Sequence, residues 1–91
     1  MMSKWSVYMV RCSDGSLYTG VATEVASRVA KHNDGTASKY TRSKLPVELV
    51  YCESVSSHGD ALRREYAIKQ LPSKIKRELL CSAMNTLHTH F

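Results

Sequence analysis

Residues 5–22 read WSVYMVRCSDGSLYTGVA, and this stretch decides the fold. Two runs rich in aromatic and β-branched residues, Trp5 to Cys12 and Leu17 to Ala22, flank the turn Ser13-Asp14-Gly15-Ser16. An Asp-Gly pair favours the positive backbone torsions of a tight turn, so the stretch predicts a β-hairpin. That hairpin presents two phenols, Tyr8 and Tyr18.

The loop length decides whether the two phenols lie on one face of the hairpin. With an even number of loop residues Tyr8 would pair with Val21, and Tyr18 would then point to the opposite face. An odd loop, or a bulge at Gly15, brings both tyrosines to the same face. If the two phenols share a site, we therefore expect an odd-length or bulged turn.

The rest of the chain supplies one further strand and three helices. Apolar spacing with capping patterns at Thr23 and at Ser57-Asp60 predicts helices from Glu24 to about Asn33, from His58 to Leu71, and from Ser73 or Lys74 to about Met84. Alternation after Pro46 predicts a strand from Val47 to Glu53, while the polar segment from Asp34 to Leu45 is expected to be a surface loop. The order ββαβαα predicts an α+β (mixed α/β) fold, a small three-stranded, mainly antiparallel sheet flanked by three helices.

Length and composition predict one domain. The chain has 91 residues, which we assign to a single domain over 1–84 and a C-terminal tail over 85–91 that is expected to fray. No apolar run is long enough for a membrane helix, and the first residues lack the pattern of a signal peptide, which predicts a cytoplasmic protein with no membrane partner. The three cysteines lack a Cys-x-x-Cys pair, so we expect reduced packing residues and no structural zinc.

The positive charge is clustered. The net charge is +5, and residues 28–44 and 63–77 hold most of the lysines and arginines against one acid each, Asp34 and Glu65. Such clusters attract a polyanion through counterion release, and nucleic acid suits them better than an acidic small molecule. The alternative is a solvated basic face without a partner.

Three polar residues on the predicted helices stand out. Arg28 and His32 are four apart and share a helix face, although Arg28 could instead pair with Glu24 on the surface. Glu65 falls inside an apolar stripe, where a carboxylate is costly unless it is paired or bound to a cation. A pair with Lys69 or Arg28 is the structural alternative for Glu65.

Taken in order, these motifs resemble the GIY-YIG nuclease superfamily, and more closely its short stand-alone branch of YhbQ-like proteins. Ser6-Val7-Tyr8 and Tyr18-Thr19-Gly20 stand where the family has its two triads, followed by Arg28, His32-Asn33, Lys39-Tyr40-Thr41 and Glu65 with Ile68-Lys69. The resemblance implies a three-stranded sheet with three helices, catalytic roles for Tyr8, Tyr18, Arg28, His32 and Glu65, and Mg²⁺ on Glu65, for which Mn²⁺ can substitute. Ser6 replaces the family's glycine. The asparagine that many members carry about a dozen residues after the metal-binding Glu is missing.

The function that this resemblance implies is a metal-dependent endonuclease that hydrolyses phosphodiester bonds in DNA, nicking one strand at a time; RNA is a second possible substrate. Tyr8 is the leading general base, with a phenol pKa that nearby cations would have to lower. Contacts to the nucleic-acid strand are expected from Lys31, Lys39, Tyr40, Arg42, Lys44, Arg64, Lys69, Lys74 and Lys76. The alternative is a binding module of the same fold with weak or no catalysis. Targeting could come from a homodimer or a partner protein.

Overall fold

A computed structural model describes residues 4–89, and residues 1–3, 90 and 91, including the end of the expected tail, lie outside them. Within this range the strands are β1 (Trp5–Arg11), β2 (Leu17–Ala22) and β3 (Glu48–Val55). The helices are α1 (Val25–Asn33), α2 (Lys39–Arg42), α3 (His58–Lys69) and α4 (Ser73–Leu79), and a 3₁₀ helix spans Thr86–Thr89. No helix in the described range has the length and apolarity to cross a bilayer.

The three strands form one antiparallel sheet in the order β2-β1-β3. This confirms the predicted α+β fold and its element order. One addition is α2, a single turn in the segment that was expected to be a loop throughout. Helix α1 begins at Val25 with Glu24 at the N-cap position and no side-chain cap, so the expectation of a Thr23 cap was wrong. The Ser57 hydroxyl does accept from the Asp60 N–H, as the capping pattern predicted.

The hairpin has the odd count that a shared site requires. Five residues, Cys12 to Ser16, join β1 to β2, and Gly15 sits at φ +87° with its N–H donating to the Cys12 carbonyl. The register then places Tyr8 opposite Gly20 and Val10 opposite Tyr18. Because side chains alternate along a strand, Tyr8 and Tyr18 lie on the same face of the sheet.

Each face of the sheet carries its own core. On one face Val7, Met9 and Tyr51 pack with Ala61 and Ile68 of α3. On the other face the buried residues Tyr8, Val10, Cys12, Ala22 and Val47 meet the partly buried valines of α1. The two phenols therefore belong to the α1 face, while Glu65 is carried by the helix that packs on the opposite face against β1 and β2.

The segment after α4 covers the β3 edge of the sheet. Asn85 is 1% exposed, and its amide accepts from the Cys52 N–H and donates to the Val50 carbonyl, next to the register shift in β3. The Thr86 hydroxyl donates to the Cys52 carbonyl. These bonds satisfy backbone groups that an edge strand would otherwise leave open. The expectation of fraying from residue 85 is thus contradicted for Asn85 and Thr86.

Candidate active site

A chain of hydrogen bonds runs inward from the first tyrosine. The Tyr8 hydroxyl lies 2.8 Å from His32 Nε2, and His32 Nδ1 lies 2.8 Å from the Thr41 hydroxyl. The Thr41 hydroxyl also donates to the Ser38 carbonyl at 3.4 Å. Since a hydroxyl has one proton, that bond favours Nδ1–H as donor to Thr41 and leaves Nε2 to accept from Tyr8.

All three members of this chain are buried. Tyr8, His32 and Thr41 are 1%, 1% and 0% exposed. Burial raises the pKa of the Tyr8 phenol to about 12; nearby Tyr18 and Glu65 also raise it, and Arg28 opposes the rise. Burial, and then the Arg28 charge, lower the pKa of His32. Without substrate, Tyr8 is therefore a neutral phenol and His32 a neutral hydrogen-bond acceptor. The raised pKa of Tyr8 contrasts with the lowered phenol pKa that was expected of a general base.

Gly20 makes room for the first phenol. A Cβ at this position would lie 2.6 Å from the Tyr8 oxygen and 2.7 Å from its Cζ, closer than side-chain carbons approach one another. The Tyr8 ring thus lies over the bare α-carbon of its cross-strand partner. The glycine of the second triad serves the placement of the tyrosine in the first.

The second phenol belongs to an aromatic group that includes α2. The ring of Tyr18 contacts the His32 ring edge at a centroid distance of 5.2 Å and stacks on Tyr40 at 5.8 Å. Lys44 Nζ lies 4.7 Å from the Tyr40 centroid, and Lys69 Nζ lies 5.9 Å from the Tyr18 centroid. Such distances allow cation–π attraction. This attraction holds Lys44 and Lys69, two residues predicted to contact nucleic acid, against the rings of Tyr40 and Tyr18.

Glu65 reaches this region from α3. Its side chain is 19% exposed, and its Oε2 lies 3.0 Å from Lys69 Nζ. Glu65 thus forms the ion pair with Lys69 that was considered as the alternative to a bound cation. Its charge also contributes to the raised pKa of Tyr8, which places the carboxylate near the phenols. No group of three or more His, Cys, Asp or Glu side chains within residues 4–89 could together hold a metal ion. Mg²⁺ often takes one or two carboxylates and keeps several waters, so the lone Glu65 fits that mode of binding.

Arg28 lies on the exposed side of α1. It lines a cleft of about 240 Å³ together with Thr23, Glu24, Ser27 and Lys31. The ion pairs of the described residues do not include an Arg28–Glu24 pair, so that surface alternative is not realised. The charge of its guanidinium nevertheless acts to lower the pKa of both Tyr8 and His32. All five predicted catalytic side chains are therefore brought to one region.

The residues predicted to contact nucleic acid fall into two groups. Those on α1, between α1 and β3, at the end of α3 or on α4 remain exposed or partly exposed: Lys31, Lys39, Tyr40, Arg42, Lys44, Lys69, Lys74 and Lys76. Arg64 does not belong with them. Its Nε donates to both carboxylate oxygens of Glu53 at 3.1 and 3.0 Å, and Glu53 is 8% exposed and also accepts from Tyr51. Arg64 is thus the counter-ion of a buried acid, and a contact from it to nucleic acid stays a prediction.

Two residues with clear roles were not singled out as such from the sequence. Thr41 fixes the His32 ring, and its burial in α2 has no periodic pattern that could predict it. Asn33 donates to the Val47 carbonyl and accepts from the Val47 N–H, at 3.1 and 2.7 Å, which ties the end of α1 to the start of β3. Its place beside His32 in the motif gave the only indication.

Comparison with known proteins now gives the class that this fold and site define. The GIY-YIG catalytic domain matches residues 4–78, and the chain belongs to this family. Membership supports a nuclease-type function and implies a nucleic-acid substrate.

Several similar proteins are matched by this chain over most of their own length. A UPF0213 protein of Staphylococcus epidermidis is 49% identical over 79 residues, covering 87% of this chain and 96% of that protein. A UPF0213 protein of Halobacterium salinarum is 53% identical over 74 residues, covering 81% and 95%. The solution NMR structure of a UPF0213 protein from Bacillus halodurans is similar at 38% identity, with a TM-score of 0.58 and coverage of 89% and 86%. A protein from E. faecalis gives 34% identity, a TM-score of 0.60 and coverage of 97% and 90%.

Proposed function

We propose that this protein is a metal-dependent endonuclease that hydrolyses phosphodiester bonds in DNA, one strand at a time. The observation that carries the proposal is the buried chain from Tyr8 through His32 to Thr41, beside the charged groups of Arg28 and Glu65. A phenol bonded to an imidazole acceptor is a route for a proton. Arg28 and Glu65 supply the positive and metal-binding functions that phosphodiester hydrolysis requires.

Tyr8 is proposed to act as general base without forming a free phenolate. As the attacking water gives its proton to the Tyr8 oxygen, the phenol proton passes to His32 Nε2, 2.8 Å away. This transfer avoids the phenolate that a pKa of about 12 disfavours. The Nδ1–H bond to Thr41 stabilises the imidazolium that results.

Arg28 and the second tyrosine are proposed to handle the phosphate. The planar Arg28 guanidinium suits two phosphate oxygens. Tyr18 is half-buried and packed on His32, so its hydroxyl is suited to orienting the phosphate.

Glu65 is proposed to hold Mg²⁺, or Mn²⁺ in its place, and its bond to Lys69 must open for this. The metal would neutralise charge that builds on the phosphate in the transition state. Once released from Glu65, Lys69 would lie beside Tyr18, and its charge could contact the nucleic-acid strand.

Incubation with supercoiled plasmid, with and without Mg²⁺, tests this proposal. We expect nicking that depends on Mg²⁺ and that falls by about 100-fold or more in Glu65→Gln. The matched control is Glu78→Gln, an acid on the exposed side of α4, which should nick at the wild-type rate. Equal nicking by both variants would overturn the assignment of Glu65.

A second candidate function has its own supporting observation. The Glu65–Lys69 pair and the raised Tyr8 pKa are also what a non-catalytic domain of this fold would show. In that case the protein binds DNA in a salt-sensitive manner and no nicking is seen at any Mg²⁺ concentration.

A further inference from the structure

A second basic cleft lies beside the aromatic pair and is separate from the five catalytic side chains. It has a volume of about 230 Å³. Its lining consists of Ser16 and Leu17 from the hairpin, Tyr40 from α2, and Ser73, Lys76 and Arg77 from α4. A cleft of this size has room for a phosphate group with a few waters.

The chemistry of the lining selects an anion. Two cations and three hydroxyl-bearing residues line the cleft, and the lining includes no carboxylate, although the Ser16 hydroxyl donates to the Asp14 carboxylate at 2.6 Å. Lys76 is only partly exposed and has no acidic partner within the described range of the chain. Arg77 uses one nitrogen to donate to the Gly15 carbonyl at 3.4 Å, which ties α4 to the hairpin turn and leaves its other donors free. A partly exposed lysine without an acidic partner is available to bind an anion.

The position of the cleft relates it to the proposed site. Tyr40 lines the cleft and stacks on Tyr18, while Leu17 precedes Tyr18 in β2. A nucleic-acid strand whose scissile phosphate lies near Tyr18 and Arg28 would therefore present a neighbouring phosphate to Lys76 and Arg77. Phosphate contacts of this kind fix the register of a strand without reading its sequence.

We propose that this cleft, here called the α4 cleft, binds one phosphate of the substrate strand adjacent to the scissile one, and so sets the position of cleavage along the strand. The proposal rests on the proposed function, since it needs a nucleic-acid substrate. It assigns the main contacts to Lys76 and Arg77, with the Ser73 hydroxyl as a further donor.

Binding without cleavage tests this assignment. In a Tyr8→Phe background, Lys76→Met should weaken binding of a short labelled DNA oligonucleotide by roughly five- to tenfold and lower the salt slope by about 1. Lys4→Met is the matched control, because Lys4 is an exposed lysine ahead of β1 that does not line the α4 cleft, and it should change the affinity by less than about twofold. Lys76→Arg should restore most of the affinity. Thermal unfolding of each variant shows that it is folded.

A neutral methylphosphonate placed at successive linkages then locates the phosphate. At one linkage the substitution should weaken binding to the Lys76-containing protein and have no further effect in Lys76→Met, because the contact is already lost. Equal losses in Lys76→Met and Lys4→Met, or no linkage that couples to Lys76, would overturn the α4 cleft while leaving DNA binding intact. No binding of any oligonucleotide would overturn the proposed function together with this inference.

Discussion

The ring of Tyr8 lies over the α-carbon of Gly20, its partner across the β1–β2 ladder, so closely that a Cβ there would lie 2.6 Å from the phenol oxygen. The same oxygen lies 2.8 Å from His32 Nε2. Gly20 and His32 therefore hold the phenol from two sides, one by leaving space and the other by a hydrogen bond. A change in either should move the phenol oxygen.

Gly20→Ala tests the first of these supports. The new methyl group would push the Tyr8 ring away from the sheet, and such overpacking lowers the free energy of unfolding by about 1–3 kcal/mol. Urea denaturation measures this loss. Gly59→Ala is the matched control, since a Cβ there meets Arg63 nitrogens no closer than 3.6 Å, and it should leave the protein as stable as wild type or slightly more so. A Gly20→Ala protein as stable as Gly59→Ala would contradict the role of Gly20.

The lowered pKa of His32 predicts a pH dependence of stability. Its pKa is lowered in the folded protein from an ordinary value of 6.5, so the unfolded chain binds the proton more readily. The contribution of neutral His32 is therefore complete above pH 6.5 and is lost as the pH falls below that value toward the folded pKa. We expect wild type to lose up to about 1.4 kcal/mol per pH unit more than His32→Gln in this window.

Urea denaturation at a series of pH values checks this difference, and subtracting the His32→Gln curve removes the other histidines. Parallel curves for wild type and His32→Gln would show that His32 is not held neutral by its surroundings. Above pH 6.5 the two proteins should show no pH-dependent difference until Tyr8 or other groups titrate.

Thr41 should matter through its hydroxyl rather than its size. Thr41→Val keeps the volume but leaves the buried Nδ1–H of His32 without an acceptor, which costs about 1–3 kcal/mol. Thr41→Ser keeps the hydroxyl and loses a methyl group, at a cost of about 1 kcal/mol. Only the valine variant is expected to reduce nicking strongly. The account fails here if the serine variant reduces nicking as much as the valine variant does.

Lys69 should compete with a divalent cation for Glu65. Lys69→Met removes the positive charge that lies 3.0 Å from the carboxylate, so Mn²⁺ should bind roughly two- to fivefold more tightly. Electron paramagnetic resonance of free Mn²⁺ measures this without reference to activity. Lys74→Met controls for the change in net charge, and Glu65→Gln should abolish the site. Weaker Mn²⁺ binding by Lys69→Met would contradict the competition.

The local patterns of the sequence predicted the parts of the fold that depend on neighbours along the chain. The Asp14-Gly15 turn and the Ser57 cap follow from short-range geometry, whereas the odd hairpin connection was expected only if the two phenols share a site. Thr23 was expected to cap α1, but the helix begins later, with Glu24 at its N-cap, because no side-chain cap fixes the boundary. Helix boundaries of this kind are weakly specified by sequence.

The parts that sequence reasoning missed depend on distant partners. Arg64 looked like one more surface cation, but Glu53 in β3 holds it, and that contact exists only once α3 packs on the sheet. Thr41 lies in a polar segment without a period, and only the return of α2 to α1 buries it beside His32. Asn85 is buried because the chain after α4 returns to β3.

The most direct test of the central claim compares the nicking rates of Tyr8→Phe and Tyr18→Phe with that of wild type in Mg²⁺, at equal extents of DNA binding. We expect Tyr8→Phe to lower the rate by about 10²–10⁴, because it removes the only hydroxyl bonded to His32 Nε2 within residues 4–89. Tyr18→Phe should lower it less, since its ring contacts to His32 and Tyr40 remain. A Tyr8→Phe protein that binds DNA and nicks it at the wild-type rate would contradict the proposed proton route through Tyr8 and His32.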